Sequence, residues 1–217
     1  MSQITLVRHG QANTQARDEV SYDKLSPLGW QQAEWLGAHQ RATRHTHERV
    51  FAGSLTRHLE TARGMGVDKD IVQDPRLNEI EYFTMATLLE EQHGLTVPQD
   101  REGFAGHLPK LFAAWREGRI ENPPESWSEF EDRVRDVLKE IASDPGSALV
   151  VTSGGWISMA MAQAMALDTL SMARIALAIM NTSMHRLHTI GDHLCPVLFN
   201  AVPHLEAPDR HYAQTHL

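Results

Sequence analysis

Three short apolar runs each lead into a glycine-bearing turn, and helical patterns separate them. That repeated alternation limits the chain to one broad kind of fold. The first run, residues 4–7 (Ile-Thr-Leu-Val), enters Arg8-His9-Gly10. The second, residues 49–52 (Arg-Val-Phe-Ala), enters Gly53-Ser54, and the third, residues 148–151 (Ala-Leu-Val-Val), enters Thr152-Ser153-Gly154-Gly155. The third is the most convincing buried strand. A weaker strand is expected within residues 68–75, around Ile71-Val72, and late strands at 184–190 and 197–202. Helical spacing covers residues 29–42, where Ser26 can cap and Pro27 suits the first helical position. It also covers residues 55–65, with Ser54 expected as the cap, residues 126–142 and residues 156–167. In the 126–142 segment Phe130, Val134, Val137, Leu138 and Ile141 form one stripe. Strands alternating with helices predict an α/β three-layer sandwich: a mostly parallel central sheet with helices on both faces. Residues 83–124, rich in Gly and Pro, read as an insertion of two short helices with loops, inside a single domain spanning 1–217.

Composition narrows the function. With 41% hydrophobic and 22% charged residues the chain is ordinary globular protein, and 217 residues suffice for a sizeable core. The net charge of −8 argues against nucleic acid or an anionic membrane as a partner. A single cysteine, Cys195, rules out an intrachain disulfide and a multi-cysteine zinc site. No apolar run approaches the ~20 residues of a membrane span, and Met1 to Arg8 carries no leader pattern, so the cytoplasm is the expected compartment. The chain has 13 histidines, of which His45 and His47 form the closest pair. They lie in a polar stretch and no His-Glu-x-x-His occurs, so no metal site is expected. Met159, Met161 and Met165 read as core fillers. Trp115, Trp127 and Phe104 either line a pocket or form the insertion's own core, the core being the plainer reading. Oligomeric state is not legible.

Open parallel sheets hold ligands at the carboxyl ends of their strands, where Arg8-His9-Gly10, Gly53-Ser54 with Arg57, and Ser153-Gly154-Gly155 all fall. Two guanidinium forks, Arg8 and Arg57, suit the oxygens of a phosphoryl group. His9 between them can act as base or nucleophile. The glycine turn before the helix at Trp156 adds backbone donors for an anion. Glu79, in the loop Arg76-Leu77-Asn78-Glu79, can protonate a leaving oxygen, with Glu81 a rival. Ser153 lacks a Gly-x-Ser-x-Gly elbow, which argues against a serine hydrolase. These residues indicate an anion site and leave the reaction open.

Resemblance narrows it. Leu6-Val7-Arg8-His9-Gly10-Gln11 is similar to the signature of the histidine phosphatase superfamily, which includes the cofactor-dependent phosphoglycerate mutases. Further blocks resemble that family in the same order: Leu25-Ser26-Pro27-Leu28-Gly29, Ser54-Leu55-Thr56-Arg57-His58-Leu59-Glu60-Thr61-Ala62, Arg76-Leu77-Asn78-Glu79, the helix from Glu125-Ser126 through Arg133-Val134, and residues 150–155. The resemblance implies that His9 attacks phosphorus and becomes a phosphohistidine. It implies that Arg8 and Arg57 clamp the phosphoryl oxygens with Ser153 and Gly154 beside them, and that Glu79 supplies the leaving-group proton and later assists water. The substrate would be a small phosphorylated metabolite, and no cofactor is required.

The resemblance also exposes a departure. The family's last motif normally has a second histidine where this chain has Ser153. A serine offers a hydroxyl donor without charge, and one lost transition-state donor commonly lowers rate ~10²–10³-fold. Three readings stand: Ser153 serves as a weaker donor, another residue such as His185, His204 or His211 fills the gap, or the site binds phosphate without turning it over. A phosphomutase is a further alternative. Asn13 stands slightly earlier in the first loop than the family's asparagine, so its role is not carried over.

Overall fold

The computed structural model describes residues 2–67 and 69–216. Six strands form one sheet in the order β3-β2-β4-β1-β5-β6: β1 (Ser2–Arg8), β2 (Arg49–Ala52), β3 (Ile71–Gln73), β4 (Gly146–Thr152), β5 (Met184–Ile190) and β6 (His193–Ala201). The pairs β1–β4, β2–β4 and β2–β3 are parallel, and β5 runs antiparallel to both its neighbours. The expected mostly parallel α/β sheet is what forms. The strand expected within 68–75 is short, and Asp68, at its margin, lies outside the described residues.

Strand β4 shows why the centre of the sheet reads as a continuous apolar run. Side chains alternate across the pleat, and both faces are covered. Ala148 and Val150 join Ile4 and Leu6 of β1 in the larger core, against α4 (Tyr82–His93), α5 (Arg101–Arg116), α6 (Trp127–Ser143), α7 (Gly154–Met165) and α8 (Thr169–Ala178). Leu149 and Val151 join Val7 on the other face, against α2 (Pro27–Ala42) and α3 (Thr56–Gly64). A four-residue helix, α1 (Glu19–Tyr22), precedes α2.

Local chemistry sets most helix starts. Ser26 accepts from the Gly29 amide at 3.0 Å with Pro27 behind it, and Ser126 forms a reciprocal capping box with Glu129. The expected stripe of α6 is buried as a unit. The expected cap of α3 is not used. Leu55 holds the cap position without a side-chain bond, and the Asp23 carboxylate accepts from the Thr56 and Arg57 amides at 2.9 and 3.2 Å. A carboxylate satisfies free helix amides more strongly than a hydroxyl because charge and dipole reinforce each other. Only the fold brings it there from 33 residues away.

In the 83–124 segment the helices are longer than the Gly and Pro content suggests. Helix α5 runs 16 residues with Gly103, Gly106 and Pro109 inside it. Asp100 caps it, and Leu108, Leu111, Phe112 and Trp115 bury one face, so packing overrides propensity. Helix α8 had no clear sequence signal. Of the three methionines, Met159 and Met161 are buried, whereas Met165, on the last turn of α7, is 41% exposed.

Candidate active site

Register creates the site. Arg8 of β1 pairs with Thr152 of β4, and Ala52 of β2 pairs with Val151, so His9, Gly53 and Ser153 leave three adjacent parallel strands side by side. The loop after β1 is pressed against the start of α2. A side chain on Gly10 would collide with the Gly29 backbone, and one on Gly29 with the Gln11 backbone. The Gly10 amide donates to Thr61 Oγ1 at 3.0 Å, which anchors this loop to α3.

His9 is 2% exposed, and its Nδ1 lies 2.7 Å from the Gly10 carbonyl. A carbonyl only accepts, so Nδ1 carries the proton and Nε2 keeps its lone pair. Burial, then the nearby Arg57, Arg8 and His58, holds the His9 pKa well below the ordinary histidine value. The ring is therefore neutral at pH 7. An oriented neutral imidazole with a free Nε2 is a competent nucleophile.

The two arginines flank it. Arg57 is 2% exposed; its Nη1 donates to Asp23 Oδ1 at 3.0 Å and its guanidinium lies 5.0 Å from the Tyr22 ring centroid. Arg8 Nη1 donates to the Ile179 carbonyl and, at 2.7 Å, to the His216 carbonyl. The Nε atoms of both arginines are buried without a hydrogen-bond partner among the described residues. Two buried guanidinium groups with one carboxylate partner between them leave positive charge for an anion to neutralise.

Glu79 reaches the same place from the loop after β3. Its Oε2 accepts from the Gly155 amide at 2.8 Å. Its loop is held from behind, because Arg133 donates to the Arg76 and Asn78 carbonyls at 2.8 Å while paired with Glu125, and Trp156 Nε1 donates to the Arg76 carbonyl. Asn78 and Ser54 exchange two hydrogen bonds, which ties this loop to the one after β2. Glu81, two residues on, is exposed, and its carboxylate accepts from the Thr84 hydroxyl nearby.

A cavity of about 380 Å³ joins these groups and is lined by Arg8, His9, Arg57 and Glu79, and by Gly154, which lies against the Arg8 side chain. Tyr82, Phe83, Phe104, Leu108 and Phe112 give it an apolar stretch, and Arg17, Glu19, Asp100 and Arg101 also line it. Phe104 thus faces the cavity, whereas Trp115 and Trp127 pack in the core beside it. Asn13 also borders the cavity while its amide donates to the Ser21 carbonyl. Among the described residues no cluster of three metal-ligating side chains occurs.

Ser153 lies at the cap position of α7, fully buried, with no side-chain cap bond. None of the three histidines considered as stand-ins for a second imidazole lies beside it. His185 bonds Ser183 and the Asn200 amide, His204 bonds Thr182, and His211 is exposed against the Glu206 carbonyl. Instead Ser153 Oγ is 2.6 Å from His58 Nε2, a residue passed over in the sequence although it adjoins Arg57. Its signal was the position itself: a histidine in the first turn of a helix whose arginine was already assigned to the site.

The described residues contain no helix long and apolar enough to cross a membrane. No curated protein matches the chain. Solved structures share its fold. A phosphoserine phosphatase from Entamoeba histolytica (mutant H9A, with phosphoserine) is 18% identical with a TM-score of 0.71, covering 94% of this chain and 100% of its own. A putative alpha-ribazole-5'-P phosphatase from Escherichia coli is 18% identical with a TM-score of 0.67, covering 92% and 96%. A mycobacterial glucosyl-3-phosphoglycerate phosphatase is 24% identical with a TM-score of 0.65, covering 92% and 98%. The model of the histidine phosphatase superfamily (branch 1) matches residues 4–201, and on that match the chain belongs to this family.

Proposed function

We propose that the chain is a phosphatase that hydrolyses a phosphomonoester through a phosphohistidine on His9. The observation that carries this reading is the His9 imidazole, fixed by Gly10 with Nε2 unprotonated and set between two buried arginines. Arg8 and Arg57 hold the phosphoryl oxygens, with Gly154 beside them. Nε2 attacks phosphorus, the bond to the ester oxygen breaks, and Glu79 delivers the proton that the departing alkoxide takes up. A water then attacks the phosphohistidine, its proton passes to Glu79, and inorganic phosphate leaves with His9 restored. Positioning and charge do most of this work. One domain carries the site, and the 83–124 insertion supplies its recognition wall.

The aromatic stretch of the lining favours an ester whose alcohol is apolar or aromatic over a small polar one. Seating a phenyl-sized group against Phe83, Phe104 and Phe112 is worth on the order of 2 kcal/mol. Against the same leaving-group class, 2-phenylethyl phosphate is therefore expected to exceed ethyl phosphate roughly 10- to 100-fold in kcat/KM. Ser153 is the observation that favours a second reading, a phosphate-binding protein without turnover. The deciding experiment is hydrolysis of an aryl phosphate by wild type and His9→Ala, with acid-quench trapping of labelled phosphoenzyme. Turnover and label that vanish together in the variant support the phosphatase. Phosphate binding without turnover in wild type supports the second reading.

A further inference from the structure

The sequence leaves a gap at Ser153, and the structure places an imidazole behind it. We propose that His58 and Ser153 work as one hydrogen-bonded donor to the bound phosphoryl group, the imidazole coming from α3 instead of from the end of β4. The inference rests on the phosphoryl-transfer reading and extends it to a residue pair 95 positions apart.

The first observation is what Ser153 does not do. A serine at a helix cap normally spends its oxygen on the amides of the first turn, yet Ser153 makes no such bond and has extended backbone geometry. Its hydroxyl meets His58 Nε2 at 2.6 Å instead. The second is the surroundings of His58. It is fully buried, and its ring centroid is 5.7 Å from that of His9, at an interplanar angle of 36°. Its Nδ1 has no hydrogen-bond partner among the described residues. The ring fits because residue 53 is glycine: a side chain there would strike His58 Nδ1. An imidazole so enclosed, beside Arg57 and with one polar contact, is poorly explained as core packing.

The tautomer follows from that single contact. A proton on Nδ1 would be a buried donor with no acceptor, the costlier vacancy. A proton on Nε2 is donated to Ser153 Oγ and leaves the serine hydrogen free. Accepting one hydrogen bond polarises the hydroxyl and strengthens the one it donates. Gly154, next in the chain, and His9, at the end of the paired strand, both line the cavity, and Ser153 is fully buried beside them; in the proposed pair its free hydroxyl hydrogen is the one donated to a bound phosphoryl oxygen. The pair supplies a directed donor, and the charge comes from Arg8 and Arg57. Ser153 is the contact residue, and His58 is a positioning residue acting through it.

Five variants test this: Ser153→Ala, His58→Ala, the two combined, His58→Gln, whose amide can still donate to the serine, and His58→Ala with Ser153→His. Readouts are kcat and KM on an aryl phosphate and calorimetric affinity for inorganic phosphate and orthovanadate, with thermal midpoints to verify folding. Each alanine variant is expected to lower kcat by ~10²-fold with KM within a few-fold, as loss of one transition-state donor does. The combined variant should be no worse than either alone, because a unit is lost only once. His58→Gln should recover most of the rate. Moving the imidazole, His58→Ala with Ser153→His, should recover the rate lost in His58→Ala. Single variants within twofold of wild type, or losses that multiply in the combined variant, overturn the proposal. If wild type hydrolyses nothing, the phosphatase reading fails separately, and the anion affinities decide. Non-additive weakening of orthovanadate binding by roughly 10-fold or more sustains the pair. Unchanged affinities, or no anion binding in wild type, overturn it.

Discussion

Acidification from pH 7.5 to 5.5 should destabilise this protein by several kcal/mol, well before its carboxylates titrate. His9, His58, His185 and His204 are each at most 2% exposed, and each is held neutral mainly by burial. Burial, with Arg8 adding to it, pushes His185 down to about 3. Burial, with His39 and Arg210 adding to it, does the same for His204. In the unfolded chain a histidine titrates near ~6.5. Between that value and about 3 the unfolded state therefore binds protons that the native state refuses. Their contribution is fully present above the unfolded pKa and is lost as pH falls through this window. At pH 5.5 each such histidine favours unfolding by RT ln(1 + 10), about 1.4 kcal/mol. His185 and His204 together give about 3 kcal/mol, and His9 and His58, shifted in the same direction, act in the same sense. A domain of this kind has ~5–15 kcal/mol in total. Glu19, raised by burial, opposes the trend only near the carboxylate range. Urea titrations at the two pH values measure the difference directly. His204→Gln should remove about 1.4 kcal/mol of the pH-dependent part whatever it does to stability at pH 7.5. Equal or greater stability at pH 5.5 would refute the assignment of these four rings as buried and neutral.

Other expectations follow from single contacts. Thr61→Val is nearly isosteric but deprives the Gly10 amide of its acceptor, and should lower stability by ~1–3 kcal/mol, with Thr61→Ser restoring most of it in chemical denaturation. Gly29→Ala drives a methyl into the Gln11 backbone, so a loss of ~1–3 kcal/mol is expected, seen as a thermal midpoint several degrees lower. Arg133→Met frees the loop that carries Glu79. Its kcat on an aryl phosphate should fall by roughly tenfold while KM stays nearly constant, since in the proposed mechanism Glu79 acts as the bond breaks.

Much of this molecule is written locally. An apolar run closed by a glycine turn and followed by a spaced apolar stripe has one low-energy local outcome. Hence β1, β2, β4, α2 and α6 were legible, as was the cap Ser26, whose partner lies three residues away. His9, Arg8, Arg57 and Glu79 were legible as candidates because their types, at strand ends, suit one anion chemistry. The structure brings all four to one cavity. The signal fails where a partner is remote. Asp23 replaces Ser54 at the start of α3, and His58, instead of His185, His204 or His211, meets Ser153. Helix α5 persists through two glycines and a proline because its buried face outweighs local propensity, and Phe104 turns to the cavity while Trp115 turns inward. Periodicity encodes which face of an element is apolar, since that is a property of near neighbours along the chain. Which residues meet across the ends of β1, β2 and β4 depends on strand register, and register exists only once the sheet has assembled.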